Sequence, residues 1–206
     1  PGKKLMFMGD EIGQFIEWRY YEPIEYKLLE YDAHRKLQDF VRALNGLYRG
    51  HPALYEIENS WSGFEWASID DEANSVIGFA RYSKRTKGQD EMLLCAFNFT
   101  PAAIEDYRMG VPRPGIYTEI FNSDEERFGG SGVVNTVPAA SSEIAWNGKA
   151  CSICFRMPPL GGVVFRYMPF AGDGRAKPEE AGTAKAVKAV MLAESPGGSA
   201  AAARKR

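Results

Sequence analysis

The feature that most constrains the fold is a series of short β-rich stretches between residues 56 and 170, each followed by a turn signal. Val, Ile, Phe, Tyr and Trp dominate the stretches, whereas Gly, Pro, Asp and Asn dominate the segments between them. Eight stretches recur at roughly 8–14-residue spacing without a strong helical pattern, which predicts an antiparallel sandwich or barrel. The predicted strands are residues 63–69, 75–82, 92–100, 104–109, 116–122, 143–146, 151–157 and 163–167.

Residues 1–55 follow a different pattern. The apolar run 4–9 ends at a glycine and is typical of a strand buried on both faces of a parallel sheet. An acidic loop follows, and then an amphipathic helix with Asp32 as the predicted N-cap and Gly50 and Pro52 as stop signals. One strand and one helix cannot bury that strand, so we expect neighbouring strands upstream. The predicted buried face of the helix comprises Leu37, Phe40, Val41, Leu44, Leu47 and Tyr48.

Residues 171–206 differ again, because Ala, Gly, Pro, Ser and charged residues dominate them. They contain no aromatic residue, and their seven Lys or Arg outnumber four Asp or Glu. Such a segment cannot bury enough apolar surface to offset its ordering entropy. We therefore predict a disordered basic tail.

Charge and cysteine content exclude several classes of function. A net charge of −2 and a pI near 5.8 argue against a nucleic-acid partner. Cys151 and Cys154 have CxxC spacing but lie in an apolar strand pattern that puts the thiols on opposite faces, so we expect neither metal nor cofactor. No apolar run reaches the length of a membrane span, and no signal peptide is evident. We expect a cytoplasmic protein without membrane association.

Several ordered motifs carry a resemblance to a known family. Residues 4–11 and the run Leu-Asn-Gly-Leu-Tyr-Arg at 44–49 lie in the first segment. Further pieces follow at Gly63-Phe64-Glu65-Trp66, Asn98-Phe99-Thr100-Pro101, Tyr107-Arg108-Met109-Gly110-Val111-Pro112, Phe121-Asn122-Ser123-Asp124 and Gly129-Gly130-Ser131-Gly132. In this order and register, over about 170 residues, the chain resembles the C-terminal part of bacterial glycogen-branching enzymes of the α-amylase class.

The resemblance implies a domain order and a reaction. Residues 1–55 would be the last β/α unit of a (β/α)₈ barrel and 56–170 an all-β domain, and composition adds 171–206 as a disordered tail. The family transfers α-1,4-glucan segments to sugar 6-hydroxyls by a retaining mechanism with an Asp nucleophile and a Glu acid. Those carboxylates lie before the segment that matches this chain, so no catalytic residue is assigned here. An α-1,4-glucan is the expected partner of the parent enzyme, the chain alone is expected to be inactive, and its oligomeric state is left open.

The loop after Gly9 contains the candidate substrate-binding residues Glu11, Gln14 and Trp18. Active sites of such barrels lie at the carboxyl ends of the strands, and sugars favour aromatic platforms with carboxylate or amide partners. The alternative is that Glu11 ties down the loop and Trp18 packs on the helix. After Trp18, an Arg-Tyr-Tyr run departs from the family pattern, which puts acceptor contacts from that loop in doubt.

Two other functions stay open on sequence alone. A non-catalytic sandwich can hold glucan on exposed aromatic residues, for which Trp61, Trp66, Trp146 and Tyr107 are candidates. Alternatively, the chain is the C-terminus of another α-amylase-class enzyme, such as a trehalose-releasing hydrolase. The acidic clusters at 70–72, 90–91 and 124–126 fall in predicted turns, where we expect solvated charge rather than catalysis.

Overall fold

A computed structural model describes residues 3–16, 18–84 and 90–171 of the 206-residue chain. These residues form one α-helix, α1 (Asp32–Gly50), followed by a β-domain. The strands are β1 (Phe64–Asp71), β2 (Val76–Tyr82), β3 (Met92–Asn98), β4 (Ile104–Val111), β5 (Ile116–Asn122), β6 (Ala139–Ala140), β7 (Cys151–Met157) and β8 (Gly162–Met168). Short 3-10 turns occupy Asp10–Ile12, Tyr26–Glu30, Pro52–Leu54, Trp61–Gly63 and Glu126–Phe128.

The described strands form two antiparallel sheets. One has the order β1-β2-β3-β8-β5-β6, and the other pairs β4 with β7. The all-β antiparallel prediction for this region is confirmed, and β5 and β7 have the predicted bounds. Successive side chains on a strand point to opposite faces, so each sheet turns one set of side chains inward. The inward sets of both sheets together form one apolar core. Its fully buried members include Val76, Met92, Leu94, Met109, Tyr117, Ile153, Met157, Val163 and Phe165.

The predicted strand at 143–146 is wrong. Within this segment only Trp146 forms an isolated bridge, to Lys149; Ser142 just before it bridges Ser152, and the short strand β6 precedes both. Asn147 and Gly148, which follow Trp146, have φ of 47° and 70°, so the chain turns back tightly towards β7. Two successive positive φ values are typical of a type I′ hairpin turn, and the apolar residues before the turn form one arm of a short hairpin.

Helix α1 covers the outer face of the larger sheet. Phe40, Ala43 and Leu47 pack on a second cluster of buried residues, which comprises Ala53, Leu93, Cys95, Phe121 and Val164. The helix is confirmed, but Tyr31 rather than Asp32 is its N-cap. Asp32 instead makes ion pairs within the first helical turns, with Arg35 at 3.2 Å and Lys36 at 3.2 Å. The predicted apolar stripe is only half-buried, because the sheet contacts one side of it.

The predicted strand in residues 4–8 is also wrong for this chain. Residues 3–8 have irregular backbone, and Leu5 is 96% exposed. Within the described residues no adjacent strand is available to pair with this segment. An extended conformation would therefore not be stabilised by backbone hydrogen bonds between strands. The segment is anchored through Lys4, which donates to the Leu54 carbonyl at 2.6 Å and to Glu58 at 3.1 Å. The barrel unit itself is not formed here.

The remaining expectations concern the cysteines, membrane-spanning helices and the C-terminal tail. Cys151 is buried and Cys154 exposed, as strand alternation predicts, and both are free thiols. In the part of the chain that the structure describes, no helix combines the length and apolarity needed to cross a membrane. The predicted tail at 171–206 lies outside the described residues, except for Ala171, and the division at residues 55 and 170 stays a prediction.

Candidate functional site

The loop that carries the predicted site residues is anchored to α1. Gly9 and Gly13, with φ of 92° and 65°, flank the 3-10 turn Asp10–Ile12, a conformation that glycine adopts without strain. Ile12 is fully buried, and its carbonyl lies 2.6 Å from Nδ1 of His34. A Cβ on Gly13 would meet Leu37 of the helix at 2.9 Å. The loop therefore lies close against the helix.

Glu11 holds the loop together and also borders a cleft. Its carboxylate accepts a hydrogen bond from the Gly9 amide at 3.0 Å. The side chain is half-exposed and lines a shallow cleft of about 440 Å³ along α1, together with Gln38, Arg42, Asn45 and Arg49 among others. This hydrogen bond supports the interpretation in which Glu11 ties down the loop. Contact with a substrate at this position stays a prediction.

Gln14 is engaged at both ends of its amide. Its Oε1 accepts from the Glu25 amide at 3.1 Å, and its Nε2 donates to the Ile16 carbonyl at 3.0 Å. These bonds join two stretches of the loop. Gln14 therefore orders the loop, and a substrate hydroxyl would have to share these hydrogen-bonding groups or replace them.

Trp18 is the most exposed of the three candidates, at 71%. Its ring packs against Phe7, with centroids 4.3 Å apart and planes at 31°, rather than on α1 as the alternative interpretation expected. The backbone at Trp18 has φ of 63°, a conformation uncommon for a residue with a side chain. The indole is thus presented to solvent next to the irregular N-terminal segment. Only Glu11 among the three candidates lines the cleft along α1.

Many large apolar side chains in and around this loop are exposed, and we name them together the N-terminal apolar surface. A concentration of exposed apolar groups is typical of a surface that another protein element or a ligand covers. Trp18 and the Arg-Tyr-Tyr run after it stand out in the sequence, whereas the exposure of these aromatic side chains is seen only in the structure. The members of the N-terminal apolar surface are Leu5, Met6, Met8, Phe15, Ile16, Trp18, Tyr20, Tyr21, Tyr26 and Tyr31.

The aromatic candidates in the β-domain separate into buried and exposed residues. Tyr107 is 5% exposed and donates to Asp71 at 2.8 Å, so it belongs to the core. Burial, followed by the hydrogen bond to Asp71, raises its pKa. Trp61 is 71%, Trp66 43% and Trp146 47% exposed. Of these, Trp61 and Trp66 flank Phe64 with ring centroids 5.8 and 4.8 Å away, whereas Trp146 lies on the turn before β7.

The acidic clusters are more ordered than expected. Asp124 is 8% exposed and accepts from the Ser131 amide at 2.8 Å, the Ser131 hydroxyl at 2.7 Å and the Val133 amide at 2.9 Å. The expectation of a solvated charge is therefore wrong at this position. Burial acts to raise the pKa of Asp124, but the hydrogen bonds from Ser131 and Val133 outweigh it and the pKa lies below its usual value. Asp124 thus holds the glycine-rich segment in place.

Glu91 in the second acidic cluster has a similar structural role. Its carboxylate contacts Nδ1 of His51 at 2.6 Å and accepts from the Ala53 amide at 3.0 Å. These contacts join the end of α1 to the start of β3. The described residues contain no group of three or more His, Cys, Asp or Glu that could hold a metal ion.

Comparison with known proteins agrees with this fold. Residues 66–168 match the family model described as the alpha amylase C-terminal all-beta domain. The chain is 45% identical over 166 residues to the 1,4-alpha-glucan branching enzyme GlgB of Halothermothrix orenii. It is 42% identical over 167 residues to the GlgB of Aquifex aeolicus and 43% identical over 166 residues to that of Saccharophagus degradans.

These matches cover most of this chain but only a small part of each relative. Each covers 81% of this chain but only 22–26% of the relative, so the chain spans about a quarter of the length of the curated relatives. The resemblance to bacterial branching enzymes drawn from the sequence motifs is confirmed. The match to the domain model covers half of the chain and coincides with the two-sheet core. The chain therefore belongs to the family of the alpha amylase C-terminal all-beta domain.

Proposed function

We propose that this chain is the C-terminal portion of a 1,4-α-glucan branching enzyme. The observation that carries the proposal is the length of the similarity. The 166-residue match to the Halothermothrix orenii GlgB is longer than the matched domain 66–168, so it extends beyond the β-domain. A stand-alone glucan-binding sandwich would not require similarity outside that domain. The binding-module alternative is therefore not favoured.

In this proposal residues 1–55 close a catalytic barrel whose other strands lie outside the chain. Two observations support that role. Residues 4–8 have the apolar composition of a buried strand but no strand partner among the described residues. The N-terminal apolar surface around them leaves ten large apolar side chains exposed, and neighbouring barrel elements would cover all of them except Trp18, which would face the substrate.

The reaction requires two carboxylates that the family places before this segment. One attacks the anomeric carbon of an α-1,4-glucan while the other, protonated, gives its proton to the departing oxygen. The deprotonated acid then takes the proton of a sugar 6-hydroxyl, whose oxygen displaces the nucleophile carboxylate from the glycosyl-enzyme. This step forms an α-1,6 linkage with retained configuration. This chain contributes no catalytic group, and we expect it to be inactive by itself.

The contribution of this chain to substrate binding would come from the loop on α1. Trp18 offers an exposed ring for a sugar face, and Glu11 offers a half-exposed carboxylate for hydroxyl groups. Gln14 orders the loop that carries them. The free thiols Cys95, Cys151 and Cys154 support a reducing compartment, and we propose the cytoplasm.

The test compares this chain with a longer protein that includes the upstream coding sequence. Incubation of the longer protein with amylose should lower iodine staining without releasing reducing sugar, and debranching should then liberate short chains. The chain alone should change neither. Trp18→Ala in the longer protein should raise KM for amylose by roughly tenfold, the cost of truncating an aromatic contact. Trp61→Ala is the control, because Trp61 has the same exposure of 71% and lies outside the N-terminal apolar surface.

Two outcomes would contradict the proposal. Release of trehalose or of linear maltooligosaccharides without new branches would assign the longer protein to another α-amylase-class activity. Branching by the 206-residue chain itself would show that the reacting carboxylates lie within it.

A further inference from the structure

A polar cleft opens at the edge of the sandwich, away from the loop on α1. It has a volume of about 550 Å³ and lies between β1 and β4, under the turn that follows Trp146. This volume is within the range of about 300–1,000 Å³ typical of small-ligand sites. No residue of the segment 3–55 lines it. The lining residues are Asp70, Asp71, Asn74, Ile104, Asp106, Tyr107, Arg108, Trp146 and Asn147.

The turn fixes Trp146 over this cleft. Trp146 and Lys149 exchange backbone hydrogen bonds of 3.0 and 2.8 Å. The Asn147 side chain accepts from the Gly110 amide at 3.0 Å and donates to Ser68 at 3.3 Å, which ties the turn to both sheets. A Cβ on Gly110 would lie 2.0 Å from the Trp146 carbonyl, so only glycine permits this close approach. The half-exposed indole is therefore held by a rigid support.

Hydrogen-bonding groups converge on the same cleft. Asp71 is fixed by Tyr107 at 2.8 Å and by the Asn74 amide at 2.9 and 3.0 Å. Asp70 and Asp106 are exposed, and their carboxylates have no hydrogen-bond or ion-pair partner within the described residues. Arg108 is directed elsewhere, since it donates to Ser152 at 2.9 Å. Free acceptors thus line the same cleft as an aromatic side chain whose backbone is held in place.

This combination suits a neutral ligand with many hydroxyl groups. An aromatic ring packs on the apolar face of a sugar, and carboxylates accept hydrogen bonds from its hydroxyls. The carboxylates disfavour anions, and the described residues offer no cluster that holds a metal. We propose that the cleft under Trp146 is a glucan-binding site of the β-domain that takes a stretch of α-1,4-linked glucose. The choice of glucan rests on the proposed function, whereas the choice of a sugar rests on the cleft.

The site would act separately from the catalytic centre. All of its lining residues lie between positions 70 and 147, in or beside the β-domain strands. A glucan held there would keep the polymer near the enzyme without taking part in bond exchange. The expected consequence is tighter binding of long chains with unchanged turnover of short ones.

The test is a titration of the 206-residue chain with maltoheptaose, followed by the indole N–H resonances of its four tryptophans. The resonance that Trp146→Ala removes should shift saturably, with a dissociation constant of about 1 mM or lower. Trp146→Ala should weaken binding roughly tenfold or more, as for other aromatic anchors. Asp106→Asn should weaken it less, and Trp61→Ala should leave it unchanged.

Other outcomes would overturn the inference. These are an unmoved Trp146 resonance at saturation, equal binding by Trp146→Ala, or binding lost only in Trp66→Ala. Equal affinity for cellohexaose would refute the α-1,4 specificity, and a shift caused by calcium alone would indicate a cation site. If Trp146→Ala fails to fold, Trp146→Phe identifies the Trp146 resonance, and the shift of that resonance in the wild-type chain together with Asp106→Asn decides.

Failure here is distinguishable from failure of the proposed function. If the chain binds no maltoheptaose but the longer protein branches amylose, this inference is wrong and the proposed function stands. If the chain binds maltoheptaose at Trp146 but the longer protein forms no branches, the glucan site stands and the proposed function is wrong.

Discussion

At the scale of single residues, Asp124 shows how a buried polar group holds a loop in place. Asp124 accepts three hydrogen bonds from residues 131 and 133 and so fixes a segment that has little regular structure of its own. Bonds from backbone amides to a carboxylate are stronger than those between neutral groups. Asp124 therefore stabilises the β-domain through its charge.

Replacement of Asp124 by Asn should lower the free energy of unfolding by about 1–3 kcal/mol at pH 7, because the charge-assisted bonds are lost. The folded-state pKa lies below its usual value, so this stabilisation is full above the unfolded pKa of about 3.9. It is lost as pH falls through the folded value. Urea unfolding of both proteins at pH 7 and pH 3 should show the difference shrinking. A difference independent of pH would contradict the role of the charge.

At the scale of elements, α1 and the hairpin before β7 show how one element serves two neighbours. The helix packs Phe40, Ala43 and Leu47 on the sheet and contacts the loop through Leu37 and His34. The hairpin turn crosses β4 at Gly110 and places Trp146 over the cleft. The loop approaches α1 at Gly13, and the hairpin turn approaches β4 at Gly110. Each close approach depends on the absence of a side chain at that glycine.

Two glycine substitutions form a matched pair for this conclusion. Gly110→Ala places a Cβ 2.0 Å from the Trp146 carbonyl, so we expect a loss of about 1–3 kcal/mol in unfolding free energy. Gly46→Ala meets nothing within 4 Å and lies in α1, so a gain of about 0.5–1 kcal/mol is expected. Thermal and urea unfolding measure both. Equal effects at the two sites would refute the close crossing.

At the scale of the whole molecule, the N-terminal apolar surface groups ten exposed large apolar side chains within residues 5–31. Leu5 at 96% and Tyr20 at 83% exposure contribute to a surface that water contacts directly in this chain. Apolar surface of this extent favours association with another copy or with a partner. In the longer protein, the proposed barrel would cover this surface apart from Trp18.

The double variant Leu5→Lys, Tyr20→Lys should therefore reduce concentration-dependent self-association in sedimentation velocity. Its unfolding midpoint should barely change, because exposed side chains contribute within about 0.5 kcal/mol. Leu160→Lys, at 70% exposure in the β-domain, is the control and should leave association unaltered. Equal reduction by the control would show that general charge, not this surface, governs association.

Much of the β-domain follows from sequence alone. Period-two alternation and turn residues locate β5 and β7 to the residue, and the i, i+3, i+4, i+7 pattern locates α1. Local patterns suffice there because each strand finds its partner within the chain. The same reasoning failed at residues 4–8, whose strand pattern needs partners that the described residues lack, and at 143–146, where positive φ at Asn147 and Gly148 redirects the backbone.

The sequence by itself determined the antiparallel class, the helix and the resemblance to branching enzymes, since these depend on periodicity and on ordered motifs. Only the tertiary structure decided that Tyr107 is core while Trp146 is exposed, and that Asp70 and Asp106 lie beside it. Residues far apart in the chain meet through sheet packing and one glycine crossing. Local sequence patterns do not predict contacts between residues that are far apart in the chain.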